Sequence, residues 1–151
     1  MREIASLAEL KALVGQDVGT SGWIVVDQGR IDRFAAATGD HQWIHVDVER
    51  CRRESPFGTT VAHGFLTLSF LPVLMDQVVA LRGVRMGVNY GVNKVRFPAP
   101  VPAGSRVRAH IKLQSVEEID GGAQIAWHVT MEREGGTKPV CVAESVARFY
   151  W

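Results

Sequence analysis

The chain has 151 residues, 46% of them hydrophobic and 22% charged, and a formal net charge of +1. It is too apolar for a disordered chain and long enough to bury a core of its own, so it reads as one domain over residues 1–151. The near-neutral charge provides no field to attract nucleic acid or an anionic membrane. Cys51 and Cys141 stand in no metal-ligand spacing, and Met1-Arg2-Glu3-Ile4-Ala5-Ser6 lacks the apolar region of a signal peptide. Reduced thiols in a cytoplasmic protein are the expectation.

A short helix is predicted from Ser6 to Val14. Ser6 caps it, Glu9 completes a capping box and Gly15 stops it. A strand follows over Thr20 to Val26 and ends at Asp27-Gln28-Gly29. A second helix is expected from Arg30 to Thr38, stopped by Gly39. Asp40 to Gly58 is polar and irregular, with room for a short helix from Asp47 to Arg53, and long loops inside compact domains tend to carry function.

Residues 65 to 81 form the most apolar stretch, and their apolar side chains occupy nearly every angle of a helical wheel. Such a helix is buried on all sides or sits in a membrane. Ser69, Pro72, Asp76 and Gln77 interrupt it, and it falls short of the ~20 apolar residues a bilayer needs. It is therefore expected as a central helix in a globular core, kinked at Pro72.

Four strands are predicted after it, from Asn89 to Phe97, Ser105 to Val116, Ala123 to Arg133 and Pro139 to Tyr150. Val107, Ala109, Ile111 and Leu113 alternate with Arg106, Arg108, His110 and Lys112. Short turns such as Asp120-Gly121-Gly122 make consecutive strands antiparallel neighbours. The fold class is thus α+β, a curved antiparallel sheet wrapped around a long central helix.

Asp40 and His45 are the candidate chemical pair, because a carboxylate beside an imidazole can position and deprotonate a water. Gly64 opens the long helix, where backbone N–H groups lack partners. Its missing side chain either admits a ligand oxygen to those donors or only lets the chain turn.

Phe34-Ala35-Ala36-Ala37-Thr38-Gly39-Asp40-His41-Gln42-Trp43-Ile44-His45 resembles the signature of the MaoC-like (R)-specific enoyl-CoA hydratases, which have the hot-dog fold. Gly58 to Leu68 resembles that family's entry to its central helix, and Asn93 to Val101 the strand and turn after it. The resemblance implies a single hot-dog domain with Asp40 and His45 as catalytic residues and the Gly64 N–H as the donor to the thioester oxygen. Gln42-Trp43 stand where the family usually has Asn-Pro, which removes a fixed φ from the loop.

The implied reaction adds water to a trans-2-enoyl thioester to give the (R)-3-hydroxyacyl thioester, or reverses it. No metal or cofactor is implied, since coenzyme A arrives as part of the substrate. The implied partners are an acyl-CoA or acyl carrier protein substrate and a second copy of the chain in a homodimer, with no nucleic acid and no membrane. Trp43, Phe57 and Phe65 are candidates to line an acyl channel, His63 adjoins the site, and Lys94 and Arg96 are candidate phosphate contacts. The basic strand face Arg106, Arg108, His110 and Lys112 is either a further phosphate contact or an ordinary solvated face. The alternatives in function are an acyl-CoA thioesterase and a non-catalytic acyl-thioester binding protein.

Overall fold

The computed structural model describes residues Met1–Trp151. Strand β1 (Arg2–Ile4) and helix α1 (Leu7–Ala12) lead into β2 (Asp17–Thr20) and β3 (Ile24–Val26). Ser6 caps α1 as expected, its side chain accepting from the Glu9 N–H. The strand predicted over residues 20–26 is two short strands. Both pair with the same long neighbour, and Ser21 sits between them, its Oγ accepting from the Ala109 N–H.

Helix α2 (Gln28–Thr38) starts two residues before its expected origin. Asp27 is its cap rather than the end of a strand, because its carboxylate accepts from the Arg30 N–H. Gly39 ends it in the left-handed conformation at φ 79°, as predicted. Two short helices follow, α3 (Trp43–Val46) and α4 (Val48–Glu54), the second capped by Asp47.

The long apolar stretch is not one helix buried all round. It is α5 (Gly64–Ser69), a break at Phe70, α6 (Leu71–Met75), and then strand β4 (Val79–Leu81), which pairs in parallel with β1. Leu66, Phe70, Leu71 and Leu74 are buried, whereas Phe65 is 72% and Val73 49% exposed. Pro72 lies in the first turn of α6, where a missing N–H costs nothing.

Strands β5 (Met86–Arg96), β6 (Ser105–Ile119), β7 (Gly122–Arg133) and β8 (Cys141–Tyr150) complete the chain. The main sheet runs β2-β6-β7-β8-β5, with β3 also on β6. β5 therefore crosses to the far edge and pairs with β8, antiparallel like every pair in this sheet. Register shifts in β5–β8 and β6–β7 bend the sheet.

The buried face reads as the alternation predicts: Val107, Ala109, Ile111 and Leu113 face Ile125, Trp127, Val129 and Met131, and all share one core with Leu66, Phe70, Leu71 and Leu74. The opposite face of β6 is solvated and ion-paired. Arg106 meets Glu134, and Arg108 and His110 meet Glu132.

Candidate active site

The site forms where three chain segments meet: the turn after α2, helix α3, and the residues leading into α5. Gly39 reverses the chain out of α2, and Asp40 then begins a small turn in which its Oδ1 accepts from the Gln42 N–H at 3.3 Å. This turn delivers the chain to α3, with the His45 N–H donating to the Gln42 carbonyl at 2.9 Å. Trp43 is the first residue of α3, a helical position that proline also favours. Gln42-Trp43 thus preserve the helical turn that sets the spacing between Asp40 and His45.

His45 is buried and held from both ends. Its carbonyl accepts from Gln28 Nε2 of α2, and its Nδ1 lies 2.6 Å from the carbonyl of Val61. A carbonyl only accepts, so Nδ1 carries the proton and Nε2 is left as a lone pair in the neutral ring. Thr60 braces the arrangement by donating to Gln28 Oε1. Burial is the largest influence on the His45 pKa and lowers it. The Val61 hydrogen bond raises it, the neighbouring His63 lowers it, and Asp40 raises it.

His63 is 2% exposed and stacks on His45, with ring centroids 3.8 Å apart and planes at 26°. Its Nε2 lies 3.0 Å from the Asp40 carbonyl, and the Phe34 ring of α2 packs against it, tilted, with ring centroids 4.9 Å apart. One donor atom from each of Asp40, His45 and His63 lies within 4.8 Å of the others. The Nδ1 of His45 and the Nε2 of His63 are each taken by a backbone carbonyl, so the two rings keep one nitrogen apiece, beside the Asp40 carboxylate, for a water between acid–base groups.

Gly64, next in the chain, is the first residue of α5, so its N–H has no intrahelical carbonyl to meet. A Cβ here would stand 2.9 Å from Cδ2 and Cε2 of Phe97. The glycine is therefore demanded by a close approach to an aromatic ring and not by its turn geometry. Phe57, Gly64, Thr67, Phe97 and Val101 line a cavity of about 260 Å³ beside this position.

The other candidates are placed unevenly. Phe57 lines that cavity, but Phe65 is solvent-exposed and meets Phe97 only edge-on, at 6.3 Å between centroids. Trp43 carries the Arg50 guanidinium of α4 4.3 Å from its ring centre and does not line that cavity. Lys94 sits in register with Glu144 across β5–β8, and Arg96 Nη1 donates to the Val95 carbonyl. Both lie on the outermost strand. Gln28, Thr60, Val61 and Phe97 had no signal of their own as site residues.

The MaoC like domain model matches residues 9–135. The chain belongs to this family. It is 53% identical over 150 residues to the 3-hydroxyacyl-thioester dehydratase Z of Mycobacterium tuberculosis, covering 99% of each chain. Among solved structures, the monoamine oxidase regulatory protein from Archaeoglobus fulgius superposes with a TM-score of 0.77 at 21% identity, over 99% of this chain and 96% of that one. The (R)-hydratase from A. caviae does so with a TM-score of 0.68 at 22% identity, over 89% and 94%. These likenesses establish the hot-dog fold, and membership of the MaoC-like family makes the chain an enzyme of the dehydratase–hydratase type. No helix is long and apolar enough to cross a membrane.

Proposed function

We propose that the chain is an (R)-specific hydratase of trans-2-enoyl thioesters, working in either direction on acyl chains carried by coenzyme A or an acyl carrier protein in cytoplasmic fatty acyl metabolism. One observation carries the reading: a carboxylate oxygen of Asp40 and ring nitrogens of His45 and His63 lie within 4.8 Å of one another, and Gly64, the residue after His63, opens α5 with its N–H free of an intrahelical partner.

Water addition at C3 pushes charge onto the thioester oxygen, and so needs a positioned nucleophile and a donor to the enolate. Asp40 and His45 hold the water and remove its proton. The Val61 carbonyl supports this by fixing the His45 tautomer that leaves Nε2 free. The Gly64 N–H receives the developing oxyanion, and the proton returns to C2. No metal or redox group takes part in these steps, and coenzyme A enters as part of the substrate. Acid–base groups of this kind contribute ~10²–10⁴ in rate and an oxyanion donor ~10²–10³. The name of the mycobacterial relative, a 3-hydroxyacyl-thioester dehydratase, supports the same substrate class.

A homodimer joined along β5 belongs to the same proposal. β5 is the long outer strand of the sheet and is exposed along its length, including Val88, Tyr90 and Val92.

The test is the loss of enoyl-thioester absorbance with crotonyl-CoA, followed in parallel for wild type and Asp40→Asn. Formation of the (R)-3-hydroxy product, reduced by at least ~10²-fold in the variant, is the expected result. Free thiol in place of hydroxyacyl product identifies a thioesterase instead. Binding without turnover of short or long enoyl chains leaves a binding protein.

A further inference from the structure

His63 touches every part of this site, yet the hydration scheme gives it no step. Its Nε2 lies 3.0 Å from the Asp40 carbonyl, its ring is stacked on His45, and the next residue in the chain is Gly64. Because a carbonyl can only accept, Nε2 carries the proton, and Nδ1 in the neutral ring is a bare lone pair. That Nδ1 is buried and has no hydrogen-bond partner, an arrangement that ordinary packing selects against.

We infer that His63 is the positioning residue of the site, tethering Asp40 through its Nε2–H, fixing the His45 ring by stacking, and setting both against the Gly64 N–H. This inference rests on the hydratase reading for its kinetic consequences, but the tether itself does not.

Two features separate such a role from simple packing. A phenylalanine of similar shape would fill the space and keep the stack, but it would release the Asp40 backbone. A glutamine would place an amide N–H near the position of Nε2 and restore the tether without an aromatic ring. Electrostatics provides the second feature. The titratable groups acting on His45 are His63, which lowers its pKa, and Asp40, which raises it. Gln28 of α2 and the Val61 carbonyl, which hydrogen-bond to His45, and Phe34 of α2, which packs on His63, carry no charge.

The experiment compares wild type, His63→Phe and His63→Gln in crotonyl-CoA hydration from pH 5 to 9, with circular dichroism to check folding. For His63→Phe the expected result is a kcat lower by about 10–100-fold, as for a misplaced catalytic group, with KM changed by less than about threefold. His63→Gln should recover at least about a fivefold share of that loss. In both variants the acid limb of the pH profile should move to higher pH, because the neighbour that lowered the His45 pKa is gone. Equal losses in the two variants with the acid limb unmoved would mean packing alone and overturn the inference, as would a wild-type kcat in His63→Phe.

The ¹⁵N spectrum of the wild-type histidines guards against variants that do not fold. It should show the neutral His63 ring protonated at Nε2 with Nδ1 bare, and the reverse tautomer would refute the tether. This readout needs no substrate. A wild type with the expected tautomer but no hydration activity would therefore sink the hydratase reading and leave the tether standing.

Discussion

At position 64 there is no room for a side chain, and the reason is one aromatic ring. An alanine Cβ would lie 2.9 Å from Phe97, so either the ring or the first turn of α5 must move. Gly64→Ala should therefore displace the N–H proposed as the oxyanion donor and lower kcat by ~10²-fold. The cost should shrink in a Phe97→Ala background, where the obstructing atoms are absent. Crotonyl-CoA kinetics on the four members of that cycle should give a coupling of at least ~0.5 kcal/mol. Additive effects would mean that Phe97 is not what excludes the side chain.

His45 gives a prediction in pH at the same scale. Its folded pKa lies below the ordinary 6.5, mainly through burial. As the proposed base it must be neutral, so kcat/KM should hold on acidification through pH 6.5 and fall only at lower pH. Stability follows the same sign. A lowered pKa means the unfolded chain takes up the proton first, so this contribution is fully present above pH 6.5 and is lost as pH falls toward the folded value. Urea titrations at pH 7.5 and 5.5 should show a smaller drop for His45→Phe than for wild type.

At the scale of elements, the break between α5 and α6 decides what Pro72 does. In a continuous helix from residue 65 to 81, a proline at 72 would remove an interior hydrogen bond at a cost of ~3 kcal/mol. In the first turn of α6 its absent N–H has no partner to lose. Pro72→Ala should accordingly change stability by less than ~1 kcal/mol in urea denaturation. A gain approaching ~3 kcal/mol would indicate relief of interior strain.

The same segment shows where local pattern stops being informative. Strands β6 and β7 were legible because one face of each is buried and the other solvated, so their alternation survives in the sequence. Residues 64–81 carry apolar side chains on every side although the core takes only one of them, and the exposed Phe65 and Val73 made a split, one-sided element read as a longer, fully buried helix. In the site, Asp40, His45 and Gly64 lay in recognisable local motifs. Thr60 and Phe97 lay inside matched segments but with no role attached, and Gln28 lay outside them; all three reach the site through tertiary packing, from the loop before α5, the end of β5 and α2, which no spacing along the chain announces.

For the whole molecule, the two edges of the main sheet are unequal. One edge is divided between β2 and β3, strands of four and three residues, which offer little to pair with. The other is β5, 11 residues long, paired to β8 on one side only. Val88, Tyr90 and Val92 are between 42% and 58% exposed there, a combination that invites strand addition unless another chain covers it. The proposed homodimer resolves this by pairing β5 with its own copy, since a self-complementary edge closes after one addition and leaves no further template.

Charge on that strand should then separate the subunits without unfolding them, because these side chains contribute nothing to the buried core. Val88→Asp combined with Val92→Asp is expected to shift the mass in light scattering from two chains to one, with an unchanged circular dichroism spectrum. A wild type that already scatters as a single chain at micromolar concentration would rule the β5 pairing out. A double variant that remains a dimer would place the contact on another surface of the molecule.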